Sequence, residues 1–273
     1  MSDLSAVPVT GPDQIAAAFG GHGRSAALMP YLMGGFPSLE ESLEVGRIYA
    51  RYADLLEVGV PFSDPLADGP AIQAAGQRAL AAGATLERVL DEVAAPLCAS
   101  VPVVLMCYAN PIFARGFERL AGALATHGVA GLIVPDMPAA EAADLRAACD
   151  EQGVALIPLV APTTPPESLR EISSSARGFV YVVSVAGVTG ERSELPPELR
   201  AVVEQVRAGA SVPAAVGFGI GTPGQAAAVG EIADGVIIGS RLVREVAEAP
   251  SLEQGLAGVD RFLRQTSDAL DAR

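Results

Sequence analysis

Hydrophobic residues along this chain gather in short dense runs separated by longer stretches of helical spacing. Eight runs stand out: AALMPYLM (26–33), LLEVGV (55–60), VPVVLMCYA (101–109), GLIVPD (131–136), ALIPLV (155–160), FVYVVSV (179–185), PAAVGFG (213–219) and GVIIGS (235–240). Each is short and apolar at consecutive positions, so both of its faces need cover. A parallel strand sandwiched between helices has that requirement. The stretches between carry helix punctuation. Ser38 precedes LEESLEVGRIYARY, Pro70 opens AIQAAGQRALAAG, and Asp136-Met-Pro-Ala leads into AAEAADLRAACDEQG. The last two close on a glycine, the usual stop signal.

Strand–helix alternation repeated eight times predicts an α/β fold, a closed eight-stranded parallel (β/α)8 TIM barrel. The helical piece at 13–19 precedes the first run and is expected to cap the barrel floor as an N-terminal helix. An open doubly wound sheet is the competing arrangement, but no G-x-G-x-x-G follows the first run. No linker or low-complexity tract interrupts the pattern, so residues 1–273 read as a single domain, a size such barrels reach.

Composition removes several classes of function. A net charge of −14 argues against binding the phosphate backbone of nucleic acid. No apolar run reaches the roughly 18 residues a membrane span needs. The opening MSDLSAVPVTGP lacks the marks of a signal peptide, so a cytoplasmic location is expected. Cys98, Cys107 and Cys149 lie far apart and form no C-x-x-C, which suits reduced, buried thiols. All 18 basic residues are arginine; the chain has no lysine, and so no Schiff-base chemistry of its own. With only His22 and His127, a three-histidine metal site is excluded too, and no metal is expected. Chemistry is left to carboxylates, hydroxyls and backbone.

The stretch LLEVGVPFSDPLADGPAIQAA (55–75) supplies the carboxylates. With Leu56, Val58 and Val60 facing the helices, alternation aims Glu57 into the barrel near its carboxyl end. Lost hydration there should raise its pKa, as suits a group that gives and takes a proton. The rival reading is a buried glutamate paired with an inward arginine. Asp68 overhangs the same mouth and reads either as a second catalytic carboxylate or as an Asp-Gly turn. Asp64 reads as structural or partner-facing. Tyr181 alternates with Val180 and Val182 and either points into the barrel or fills the core.

Glycine-rich loops follow the last three runs: AGVTGERSELPPE (186–198), GFGIGTP (217–223) and GSR (239–241). Loops after strands seven and eight of such barrels commonly hold phosphate through backbone N–H groups and a helix start. In a lysine-free acidic chain, amides and dipoles are the means available. The first of these loops has the composition of a closing lid.

The stretch EVGVPFSDPLADGP resembles, nearly letter for letter, the signature of the tryptophan synthase alpha chain family. CYANPI (107–112), PDMP (135–138), GVTG (187–190), GFGI (217–220) and IGS (238–240) are similar to its other marks, in order. The resemblance runs from about Gln14 to Leu263. It implies a lyase cleaving indole-3-glycerol phosphate to indole and glyceraldehyde 3-phosphate, with no cofactor in this chain. By the same resemblance Glu57 would be the main acid/base and Asp68 would accept from the indole N–H. Tyr181, Tyr31 and Met106 would line the indole pocket. Gly190, Gly219, Gly239 and Ser240 would hold the phosphate, and Thr189 would tie the lid to Asp68. A retro-aldol step normally needs a lysine imine or a metal as electron sink. This chain offers neither, so the protonated indole itself must serve.

The family pairs with a beta chain in an alpha2-beta2 heterotetramer. By resemblance the loops carrying Asp64 and Asn110, with Asp136, would form the contact, and pyridoxal phosphate would belong to that partner. Phe36 stands where many members have Asp, and Val185-Ala186 replaces an Arg-containing pair; both are expected near the mouth or lid. A stand-alone indole-releasing lyase and a catalytically lapsed scaffold remain as rival readings.

Overall fold

The computed structural model of the chain describes residues 9–183, 197–217 and 219–271. Its strands are β1 (Ala27–Met33), β2 (Leu56–Gly59), β3 (Val103–Met106), β4 (Gly131–Ile133), β5 (Ala155–Ile157), β6 (Leu159–Val160), β7 (Val180–Val183), β8 (Ala214–Gly217) and β9 (Gly235–Ile238). Every pairing is parallel, in the order β5-β4-β3-β2-β1-β9-β8-β7-β6.

The two ends of that order, β5 and β6, are neighbours in sequence separated by Pro158 alone. They are two halves of the fifth stave. Proline has no N–H to donate, so it interrupts the ladder, yet its carbonyl still accepts the Tyr181 N–H at 2.9 Å. β5 pairs with β4, β6 pairs with β7, and the ring closes through the break. The expected eight-stranded barrel therefore stands, with its fifth run split in two.

Alternation sorts the strand residues into two cores. Leu56, Val58, Val103, Leu105, Val180, Val182, Val216 and Val236 pack outward among the helices. Met29, Leu55, Val104, Ile133, Ile157, Tyr181, Ala215 and Ile237 fill the barrel interior. The interior is closed below by the helix Gly11–Gly21, whose Ile15 is fully buried in the same cluster and whose Phe19 meets Phe179 at a ring separation of 5.7 Å. Thr10 and Asp13 form a capping box that fixes where this plug begins. The floor cap expected at 13–19 is thus in place.

The punctuation read from sequence mostly marks real boundaries. Ser38 accepts the Glu41 N–H at 3.2 Å and starts the helix Leu39–Tyr49, and Pro70 starts Pro70–Ala81. Asp136 differs. A 3-10 turn at Ala139–Glu141 intervenes before the next helix, Ala143–Glu151. Asp136 reaches back instead, its Oδ1 accepting the Ala109 N–H at 2.8 Å to cap the helix Ala109–Arg115 that follows β3. Among the described residues no helix is long and apolar enough to cross a membrane.

Candidate active site

Glu57 is the third residue of the second run, between outward Leu56 and Val58, and is 1% exposed. On one side it is in register with Tyr31 of β1, on the other with Val104 of β3. Among the described residues no arginine pairs with it, and its Oε2 is buried without a hydrogen-bond partner. Burial first, and the nearby Asp68 charge second, push its pKa from 4.5 up to about 8. Near neutral pH the group is an uncharged acid that can still be ionised.

Asp68 hangs over the same mouth in the loop between β2 and the helix Pro70–Ala81. The loop is held from within: Asp68 N–H donates to Pro65 O at 3.1 Å, and Gln73 Nε2 donates to Asp68 O at 2.9 Å. Partial burial lifts the Asp68 carboxyl to about 6, while a hydrogen bond from Tyr108 pulls the other way. The two carboxyls thus sit on opposite sides of neutrality, which is the arrangement that divides acid and base roles.

Tyr31 and Tyr181 complete the wall. Each feels the charge of both Glu57 and Asp68, and burial raises both phenols far above their ordinary range, so they remain neutral. Two glycines make room for them. A Cβ at Gly59 would lie 2.1 Å from the Tyr31 hydroxyl, and one at Gly217 would lie 2.5 Å from the Tyr181 hydroxyl. Met106 ends β3 opposite Gly59 and packs on both cores, as a pocket wall would.

Gly239 follows the eighth stave and is the N-cap of the helix Ser240–Ala247. Ser240 is its first residue, and the unspent amides of such a first turn, with the helix dipole, suit an anion. The Arg241 side chain is engaged elsewhere, paired with Glu245 and stacked at 5.0 Å over Phe262. Gly219, with φ 22°, follows β8 one residue beyond Phe218. Thr189, Gly190 and the Val185-Ala186 departure lie outside the described residues.

Phe36, three residues beyond the end of β1, is buried with the Arg78 guanidinium 4.8 Å above its ring. Asp64 and Asn110 are exposed on the rim, beside Leu66 and Phe113, which are 95% and 61% exposed. Asp136 is exposed there too, in addition to its capping bond.

Three contributors escaped the sequence reading. Gly59 reads as an ordinary strand end and Gly217 as the start of a phosphate loop, although the alternation that aimed Glu57 and Tyr181 inward also aims both of these inward. Tyr108, inside the CYANPI motif, accepts the Ala67 N–H at 3.1 Å and stacks on Phe62 at 5.1 Å. No local pattern announces a contact between residues so far apart in the chain. Cys107 is buried with its thiol pushed up to about 12, and takes no part in the chemistry near neutral pH. Among the described residues no group of acidic, histidine or cysteine side chains could hold a metal ion.

A closed parallel barrel with a buried, unpaired acid at its carboxyl end, a second carboxyl above it and a glycine-opened helix start across the mouth defines an acid–base enzyme of the (β/α)8 class. Comparison with known proteins gives the family. Residues 21–271 match the family model described as tryptophan synthase alpha chain. The tryptophan synthase alpha chain of Prochlorococcus marinus is 49% identical over 239 residues, covering 85% of this chain and 86% of the relative. That of Gloeobacter violaceus is 46% identical over 264 residues, covering 94% and 95%. Among solved structures, Mycobacterium tuberculosis tryptophan synthase superposes with a TM-score of 0.86 at 34% identity, covering 95% of this chain and 98% of that one. The chain belongs to the tryptophan synthase alpha chain family. It is a lyase of tryptophan biosynthesis, releasing indole from indole-3-glycerol phosphate, and its family implies a beta-chain partner.

Proposed function

We propose that Glu57 and Asp68 divide the proton work of indole-3-glycerol phosphate cleavage. Glu57, as the neutral acid, gives its proton to the indole ring carbon that bears the glycerol phosphate side chain. Asp68, as the carboxylate, accepts from the ring N–H and stabilises the resulting positive charge. Glu57, now ionised, takes the proton of the adjacent side-chain hydroxyl. The carbon–carbon bond breaks, its electrons return to the ring, and glyceraldehyde 3-phosphate leaves as the aldehyde. The ring is the electron sink, so neither imine nor metal is required. The observation that carries this reading is the inward Glu57 with an unpartnered buried oxygen and a raised pKa.

Tyr31, Tyr181 and Met106 would form the walls against the indole. Gly219, Gly239 and Ser240, with Gly190, would hold the phosphate, and Thr189 would tie the lid to Asp68. Asp64, Asn110 and Asp136 would meet the beta chain in an alpha2-beta2 assembly in the cytoplasm. Pyridoxal phosphate would reside in that partner. The chain would act as one domain throughout.

Steady-state indole release by the purified chain, with and without a beta chain, tests the activity. Glu57→Gln tests the assignment: it should lose about 10³-fold in turnover, within the range of a positioned acid/base, while a substrate analogue binds within severalfold. Normal turnover in that variant would overturn the role of Glu57.

A further inference from the structure

Tyr108 stands where three things meet. Its hydroxyl accepts the N–H of Ala67, the residue before Asp68, at 3.1 Å, and it acts on the Asp68 carboxyl to favour the charged form. Its ring lies on Phe62 at 5.1 Å with an interplanar angle of 25°. Its backbone is the residue before the helix Ala109–Arg115, whose first N–H is fixed by Asp136 at 2.8 Å. Phe62 and Ala67 both belong to the loop that carries Asp68, so the ring and hydroxyl of Tyr108 tie that loop to the capped start of the helix Ala109–Arg115.

We propose that Tyr108 is the positioning residue of the carboxylate pair: its hydroxyl clamps the loop at Ala67 and holds Asp68 over the mouth as an anion. The surroundings leave Asp68 little other help. Among the described residues, the groups that act on this cluster are Glu57 from β2, Tyr31 from β1, Tyr181 from β7 and Asp136 after β4. None is a cation, so every one of them either leaves the Asp68 charge alone or opposes it. Burial already lifts Asp68 to about 6, and Tyr108 is the group that counters this. Without the phenol, Asp68 would protonate closer to neutral pH and could no longer stabilise a positive ring. Tyr108 acts through Asp68 and need not touch the reacting atoms.

This rests on the carboxylate-pair reading, and the experiment separates the two. Indole release is measured from pH 5.5 to 9 for the wild-type chain, Tyr108→Phe, Asp68→Asn and the double variant. The expected result is a loss of about tenfold in kcat/KM at pH 7 for Tyr108→Phe, the scale of one hydrogen bond to a charged group. The acid limb of its pH profile should move upward, and the same change should cost nothing further in the Asp68→Asn background. An equal loss in both backgrounds, or an unmoved acid limb, overturns the proposal. Full activity in Asp68→Asn would sink the carboxylate-pair reading itself. Tyr108→Phe keeps the ring on Phe62. Should it still fail to fold, 3-fluorotyrosine placed at position 108 alone keeps the shape and strengthens the donor. It should move the limb downward, and no movement overturns the proposal.

Discussion

The two ends of the barrel interior obey opposite rules. At the floor, Ile15 and Phe19 cluster with Ala130, Ala155 and Phe179, so that apolar atoms fill the space. At the mouth, the inward positions two residues onward carry Glu57, Tyr31 and Tyr181, with Gly59 and Gly217 left bare beneath the phenols. The floor is built for burial. The mouth gives up two side chains to seat the phenols and keeps a carboxyl without a partner among the described residues, a state that is unfavourable for folding alone. The difference says that stability and chemistry are supplied by separate layers of one tube, and each can be attacked without the other.

The largest effect should come from the floor. Ile15→Ala should destabilise the chain by about 2–4 kcal/mol, the range for truncating a fully buried aliphatic side chain. Indole release per folded molecule should stay unchanged. Denaturant titration and kinetics on the same preparation check this, and a fall in turnover in step with stability would mean that the two layers are coupled.

The mouth should behave in the opposite sense. The folded-state pKa of Glu57, about 8, lies above its ordinary 4.5, so the folded chain holds a proton that the unfolded chain gives up. Wild-type stability is therefore lost progressively as pH rises from about 4.5 toward 8. Glu57→Gln has no such proton to hold. Its stability relative to wild type should climb by about 2–4 kcal/mol between pH 5 and pH 8, whatever the fixed offset of the amide. A pH-independent difference would show that Glu57 is not a buried acid in the folded chain.

Gly59→Ala sharpens the comparison at its boundary. Its Cβ would overlap the Tyr31 hydroxyl, so the ring must shift within the pocket. An expected loss of about tenfold in kcat/KM corresponds to roughly 1.4 kcal/mol. A variant as active as wild type would remove Tyr31 from the substrate wall.

How much of this could be read from the chain follows from where the information lies. The eight runs and the inward aim of Glu57 are local: a single acid in an apolar strand can hardly be missed, and alternation fixes its direction. Pro158 sits in plain view in ALIPLV, but that run reads as one strand until pairing shows β4 on one half and β7 on the other. Tyr108 and Asp136 were invisible in their roles for another reason. Each acts on a backbone N–H far off in the sequence, at Ala67 and Ala109. Asp136 even carried a misleading local signal, since a Pro and a helical pattern follow it. Gly59 and Gly217 needed the rings above them before their bareness meant anything.

The smallest effect concerns the rim, where Asp136 has a structural duty and a proposed contact duty at once. Its carboxylate caps the helix Ala109–Arg115 and lies exposed near Asn110. Removing a cap costs about 0.5–1 kcal/mol in an exposed helix, so Asp136→Ala should lower stability by that amount. Asp136→Asn keeps an oxygen to accept the Ala109 N–H and should lose almost none of it. Both variants lack the charge. If the rim meets a beta chain through that charge, both should weaken the stimulation of indole release by added beta chain, and to a similar degree. If only Asp136→Ala does so, the carboxylate matters because it holds the start of the helix in place, and the contact duty falls to its neighbours.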